Sequence, residues 1–372
     1  MAGSVEVLKI GGSPPPLPGR WRGRSERWFR LEPARQRWWR TGAVEASLAG
    51  AHDADVVYAT MSPWASGYAA LETARRLKRP WVADLRDPWA LDEMMFYPTG
   101  LHRELETRAM GKLLGQADGV VMNTEEARRR LLERFPQMQG RLVEVIPNGY
   151  DEADFAGPPP PSEPDSFKIV HAGHLHTQLG SATTFEARRR SLIGGRVPGV
   201  DFLTRSHVHL LAAIDRVVAE RPELEQRLQL HLVGGLTDAD RATIGSKAVH
   251  AHGYVSHAQS VAALRTADLL FLPMQNLPVG TRATIVPGKT YEYLAAGRPI
   301  LAAVPDGDAR DLLERVPRAT VVRPDDVDGM AKAILDHVDA PRAADADHAD
   351  MAAYERRAQT ERLAEIFDRV TR

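Results

Sequence analysis

Apolar positions along this chain fall into two alternating periods. Short, nearly continuous apolar runs read as buried strands at 55–60 (DVVYAT), 80–85, 119–122 and 142–146. A second set lies at 167–172, 228–233, 250–255, 268–272, 299–303 and 320–323. Stretches with apolar residues three or four apart separate them and predict helices over 38–51, 65–77, 101–114, 125–135, 207–219, 238–246, 256–266, 308–315, 327–338 and 355–371. Strands alternating with helices imply parallel sheets covered on both faces, and ligands in such sheets bind at the carboxyl ends of strands. A further short strand is expected at 5–10, followed by a Gly/Pro loop over 11–19.

The proline-rich stretch 157–164 (GPPPPSEP) is stiff and polar and marks the best boundary. The expected domains are 1–160, 161–345 and a terminal helix within 346–372 that returns to the first domain. Residues 176–205 show no clear period and read as a long loop or insertion, and 340–350 as an Ala/Asp-rich connection.

A chain of 372 residues is long for one core and fits two or three domains. With a formal net charge of −1, no general attraction to nucleic acid is expected. No cysteine is present, which removes disulfides, thiolate metal sites and cysteine nucleophiles and suits a reducing, cytoplasmic setting. No apolar run reaches the roughly 18 residues of a membrane span, and the N-terminus has no apolar signal region. The arginine-rich usage is that of GC-rich, bacterial coding. Charge is nevertheless uneven. Residues 20–40 hold four of the seven tryptophans among eight arginines and two glutamates. Three readings stand: peripheral contact with an anionic membrane, a grip on an anionic acceptor, or tryptophans packed on the core.

Candidate chemistry concentrates at 286–301, VPGKTYEYLAAGRPIL. Pro287 suits a helix start and Gly297 a helix end, so 289–296 reads as a helix leading into the strand at 299–303. Lys289 and Glu292 then stand one turn apart. Either they form a surface ion pair, or Lys289 meets a phosphate and Glu292 accepts hydrogen bonds from ribose hydroxyls. Asp87 and Asn148 fall at carboxyl ends of strands. Asp84, Arg86 and Asp87 are close enough to form a salt-bridged turn instead, and Asn148-Gly149 reads mostly as turn chemistry. His171, His207, His209, His250 and His252 lack metal-like partners, and no catalytic metal is expected.

Taken in order, DVVYATMSP, PWVADLRDPW, ADGVVMNT, VIPNGYD, FKIVHAGHL, LHLVGG, HGYVSHAQSVAALRTADLLFLP and VPGKTYEYLAAGRPIL resemble glycosyltransferase family 4 across roughly residues 40–370. The resemblance implies an α/β chain of two doubly wound, Rossmann-like domains (the GT-B plan), the first shortened, with a C-terminal helix packed back on the first. It implies transfer of a sugar from a nucleotide diphosphate donor to a hydroxyl acceptor, with retention of anomeric configuration and no cofactor or metal. Such enzymes bind the donor against the second domain and the acceptor against the first.

By the same resemblance Glu292 binds the ribose, and Lys289 with Arg282 meets the diphosphate. Gly173 lets backbone approach the phosphates, with His174 beside it, and the turn at Tyr254 and Val255 passes the nucleobase. Asp87 orients or deprotonates the acceptor hydroxyl. The family's usual Glu-x7-Glu signature has Thr284 at its first position here, while Pro287, Lys289 and Glu292 fit a Pro-x-Lys-x-x-Glu variant. The family's usual Arg and Lys just beyond the glycine have no obvious match in 176–205. The alternative to an enzyme is a non-catalytic, glycosyltransferase-like nucleotide-binding or partner protein.

Overall fold

The computed structural model describes residues 6–158, 160, 165–181, 192–245, 249–340 and 349–372. They form two compact units: Met1–Ile146 with Arg190–Arg196 and Glu361–Arg372, and Pro147–Arg189 with Val197–Thr360.

The first unit opens with helices α1 (Arg20–Trp28) and α2 (Ala34–Gly50). Four parallel strands follow, β1 (Val57–Thr60), β2 (Trp81–Leu85), β3 (Gly119–Met122) and β4 (Val143–Val145), in the spatial order 1-2-3-4. Their connections are α3 (Ala65–Leu77), α4 (Gly100–Leu114) and α5 (Glu125–Arg134). Strand alternation sorts the core into two layers. Trp81, Ala83 and Leu85 of β2 and Val120 and Met122 of β3 share a core with Leu113, Leu114 and Leu131 from the connecting helices. Val82 and Val121 face the other way and meet Ile366 of the C-terminal helix, Arg356–Thr371. That helix is tied down further by Phe367 against the Tyr58 ring at 5.4 Å and by an Arg369–Glu144 ion pair at 2.7 Å.

The strand expected at 5–10 is not there: the described residues 6–10 are irregular. Leu8 and Ile10 find their apolar contacts on α2. A Cβ placed at Gly42 would lie 2.3 Å from Ile10, and one at Gly50 would lie 2.8 Å from Leu8. Close packing into these small-residue notches takes the place of a strand ladder. The tryptophans of 20–40 also divide. Trp38 and Trp39 are half-buried on α2, whereas Trp21 and Trp28 are 81% and 54% exposed. Core packing therefore explains only one pair.

The second unit carries six parallel strands: β5 (Phe167–Ala172), β6 (Leu228–Val233), β7 (Val249–Gly253), β8 (Leu269–Pro273), β9 (Ile300–Ala303) and β10 (Ala319–Val322). Their spatial order, 10-9-8-5-6-7, reverses direction between β5 and β8. One face packs under α7 (Val208–Glu220) and α12 (Val327–Val338), through Ile169, Leu230, Phe271 and Leu301 against Leu210, Ile214, Met330 and Ile334. The unit's short helices are α6 (Thr177–Ser181), α8 (Asp238–Ala242), α9 (His257–Arg265), α10 (Lys289–Ala295) and α11 (Asp308–Leu313); the C-terminal helix is α13. Ser256 caps α9 as expected, in a reciprocal capping box with Gln259. Most of the boundary stretch 157–164, all of 182–191 within the expected insertion and 341–348 of the expected connection lie outside the described residues.

Candidate functional site

The reversal of strand order creates the opening in the second unit. β5 pairs with β6 along six residues but with β8 only at Ile169 and Val170. Beyond those two pairs the strands part, and a side chain spans the gap. The buried His171 ring lies with Nδ1 3.0 Å from the Phe271 carbonyl. That carbonyl can only accept, so Nδ1 carries the hydrogen and Nε2 is left with a lone pair. Nε2 faces the Lys289 Nζ at 3.3 Å, which donates to it.

Lys289 reaches this point because α10 is anchored one turn further on. The Ala172 N–H donates to the Tyr293 hydroxyl at 2.8 Å, and Tyr293 is fully buried. Residues four apart share a helix face, so Lys289 projects over the same end of β5. There it crosses Gly173, which adopts a left-handed φ of +108°. A Cβ at Gly173 would stand 2.7 Å from the Lys289 Nζ, and a Cβ at Gly234 would stand 2.9 Å from the Gly173 carbonyl oxygen. Neither position accepts a side chain without displacement, which leaves backbone and one ammonium exposed to whatever occupies the opening. The surface Lys–Glu pair is thereby replaced by a half-buried lysine turned toward the strand ends.

The charges here are one-sided. Burial, then the Arg205 guanidinium, pushes the Lys289 ammonium down to about 7, with Glu292 opposing. Burial, then Arg205 and Lys289, lowers His176 to about 4. Burial, then Lys289, lowers His171 well below its ordinary value. Three neighbouring groups surrender protons because the surroundings are desolvated and already positive, the electrostatic condition for binding an anion. Arg205 is fixed from the β8 side by a 3.1 Å hydrogen bond to Gln275, itself fully buried.

Glu292, on the neighbouring face of α10, is half-buried, and its carboxylate has no hydrogen-bond or ion-pair partner among the described residues. The Asn148 amide lies about 4.0 Å from where a Cβ of Gly288 would stand. Gly149 is packed on the Tyr354 carbonyl, and the Asn148 carbonyl accepts from Gln359 at 3.1 Å. Thr284 is fully buried.

The other expected residues spread out. His174 is exposed beside Gly235. Tyr254 is 93% exposed at the turn after β7, with Val255 half-buried next to it. Arg282 is held by Asp308 at 3.3 Å and Asp311 at 2.5 Å on α11, and both carboxylates raise its pKa. Its charge is thus already met by protein. In the first unit, the buried carboxylate is Asp84 and not Asp87. Arg86 grips Asp84 at 2.7 Å, and Tyr58 donates to the same oxygen. Asp87 stays exposed just beyond the end of β2.

Sequence reasoning missed His171, His176 and Arg205 as parts of one cluster. Arg205 closes the aperiodic stretch 176–205, where no sequence signal marks it; its hydrogen bond to Gln275 places it. His231, His250 and His252 form a stack on β6 and β7, with ring centroids 4.7 and 5.1 Å apart. Among the described residues no group of three His, Asp or Glu is placed to hold a metal ion.

Known proteins resemble both halves. The family model described as Glycosyltransferase Family 4 matches residues 4–154, and that described as Glycosyl transferases group 1 matches residues 200–339. No curated protein sequence matches the chain. Among solved structures, HepE of Anabaena, in complex with UDP and glucose, is 17% identical with a TM-score of 0.57, over 87% of this chain and 80% of that one. Sucrose-phosphate synthase of Thermosynechococcus elongatus is 14% identical with a TM-score of 0.61, over 88% and 77%. The UDP-forming α,α-trehalose-phosphate synthase of Burkholderia xenovorans is 15% identical with a TM-score of 0.59, over 92% and 81%.

Proposed function

We propose that this chain, which resembles glycosyltransferases in both halves and shares the GT-B fold, moves a sugar from a nucleotide diphosphate to a hydroxyl on a glycan, a lipid-linked sugar or a small molecule. The observation that carries the proposal is the Lys289 ammonium over Gly173, where the strands part, with the Arg205 charge acting on it. A diphosphate answers both charges, and the side-chain-free backbone at Gly173 lets it come close. Glu292, with its carboxylate unengaged, accepts from the two ribose hydroxyls. Val255 and Tyr254, at the turn after β7, pass the nucleobase, with His174 beside the phosphates. Arg205 acts on Lys289 directly and so suits the second phosphate, whereas the Arg282 guanidinium is held on α11 by Asp308 and Asp311.

In the reaction the bond from the anomeric carbon to the diphosphate oxygen breaks and a bond to the acceptor oxygen forms on the same face. The acceptor proton passes to the departing diphosphate. Lys289 and Arg205 stabilise the charge that grows on that leaving group, which is where electrostatic catalysis acts most strongly. The proposal therefore needs neither metal nor protein nucleophile. Asp87, exposed just beyond the end of β2, orients the acceptor hydroxyl. Asp87→Asn should lower transfer by about 10²-fold, the scale on which a misplaced acceptor slows reaction, while donor affinity stays unchanged. Equal transfer rates in parent and variant would remove Asp87 from the mechanism.

A thermal-shift screen of nucleoside diphosphates tests the donor site directly. A ligand at a hundred times its Kd adds about 2.7 kcal/mol, or roughly 5–10 °C for units of this size. UDP leads the screen because HepE was solved with UDP-glucose. No shift with any base would reject the donor site. A shift without transfer or donor hydrolysis would favour a non-catalytic nucleotide-binding protein. The setting that suits the reading is cytoplasmic, with peripheral contact at the inner membrane face through residues 20–40. Among the described residues no helix is long and apolar enough to cross a membrane.

A further inference from the structure

We propose that the outward face of α1 docks the protein on an anionic lipid bilayer, with Trp21, Trp28 and the following Phe29 entering the interface and Arg20, Arg24 and Arg27 meeting lipid phosphates. The proposal rests on the peripheral-membrane reading of residues 20–40 and is independent of the transfer reaction.

The helix is inverted relative to an ordinary surface helix. Its buried residue is a charge, Glu26, whose carboxylate pairs with Arg22 at 3.1 Å. At ~100° per residue, Trp21, Arg24 and Trp28 lie about 140–160° round from Glu26; Trp21 and Arg24 face away from the protein, whereas the Trp28 ring leans on the His102 ring, with centroids 5.3 Å apart, and keeps only part of its surface outward. Trp21 is 81% exposed, Trp28 54% and Phe29 67%. Core packing has therefore not claimed the most apolar side chains of the segment, although Trp38 and Trp39 nearby are half-buried. The Arg24 guanidinium lies over the Trp21 ring, 5.8 Å from its centroid, so cation and ring form one amphipathic element.

Charge on this face has one sign. Arg20, Arg24 and Arg27 are exposed with no ion-pair partner among the described residues, and the first turn holds no acidic residue. A cation at the helix N-terminus opposes its dipole, so Arg20 does not serve helix stability, although Arg27 in the last turn does. The whole chain is nearly neutral, at −1. The positive charge is thus local, as a surface needs when it recognises anionic headgroups without attracting polyanions in general. Rings at the level of the headgroups and arginines on the phosphates are the two interactions an interfacial helix combines.

The inner side holds the helix rigidly. The Trp28 carbonyl accepts from the His102 Nε2 at 2.8 Å, and Arg30 pairs with Glu106 at 2.9 Å. The outward side chains are therefore presented by a helix already anchored to α4, so docking requires no local unfolding.

Flotation of the full chain with vesicles of phosphatidylglycerol and phosphatidylcholine, against phosphatidylcholine alone, tests the proposal. Retention should be at least tenfold greater on the anionic vesicles and should fall with added salt. Arg20→Gln with Arg24→Gln should lower partitioning about 25-fold, at roughly fivefold for each basic side chain near an anionic surface. Trp21→Ser with Trp28→Ser should lower it at least tenfold and abolish the vesicle-induced blue shift of tryptophan emission. Both pairs are exposed, so unchanged thermal unfolding is expected and confirms that each variant is folded. Equal retention on neutral vesicles, or undiminished retention of both variants, would overturn the proposal. Nucleoside diphosphate binding by the same preparations reports the donor site separately, so loss of one property leaves the other readable.

Discussion

Glu292→Ala should abolish measurable nucleoside diphosphate binding in calorimetry while leaving the fold as stable as before. The two halves of that expectation have different causes. The Glu292 carboxylate is half-buried and makes no hydrogen bond or ion pair among the described residues, so its removal costs only the longer-range support it gives the Lys289 charge. In the proposed complex it accepts from two hydroxyls of a ribose. Hydrogen bonds to charged groups contribute about 1.5–3 kcal/mol each, so losing two weakens binding by roughly 10²–10⁴-fold. Glu292→Gln keeps the shape and loses the charge, and should fall between. An alanine variant that binds the diphosphate with parental affinity would sink the ribose assignment and leave Lys289 as the only support from α10.

Lys289→Met should lower transfer by about 10²–10³-fold, the scale on which a single donor to a developing negative charge acts. It also carries a pH signature. The ammonium titrates at about 7 in the empty protein against an ordinary 10.5. Between those values the unfolded chain holds a proton that the folded chain has released, so stability of the empty protein rises with pH across that window. The burden of the buried cation is present in full below about 7. Donor binding runs in the opposite sense. A bound diphosphate favours the charged ammonium, so binding takes up a proton above pH 7 and affinity declines as pH climbs, by up to tenfold per unit. Lys289→Met should flatten both slopes. A parental pH dependence of affinity in the variant would show that another group titrates.

Most of the architecture was legible because strand and helix periods in this chain are strong and seldom conflict. The runs 119–122, 167–172 and 228–233 coincide with β3, β5 and β6 residue for residue, as 65–77 does with α3. The miss at 5–10 has a clear origin. Leu8 and Ile10 have the composition of a strand, but a strand also needs a partner ladder, and glycine notches on α2 offered apolar contact without one. Of the turn expected from Asp84, Arg86 and Asp87, the structure shows the Asp84–Arg86 pair. Which carboxylate goes inside follows from alternation along β2, where Asp84 faces Tyr58 and Asp87 lies past the strand end.

What sequence by itself determined is the set of elements, their alternation and the local chemistry of 286–301: a helix bearing Lys289 and Glu292 ahead of a buried strand. These depend on residues near one another in the chain. Tertiary structure alone decided what Lys289 confronts. His171 stands 118 positions away in the chain and 3.3 Å away in space. It is held by a carbonyl of β8 because β5 and β8 separate after two paired residues. Arg205 joins them from an aperiodic stretch. Desolvation and like charge are summed over every group within reach, whatever its sequence number. The lowered lysine and the positive field around it therefore exist only once the sheet has brought its strand ends together.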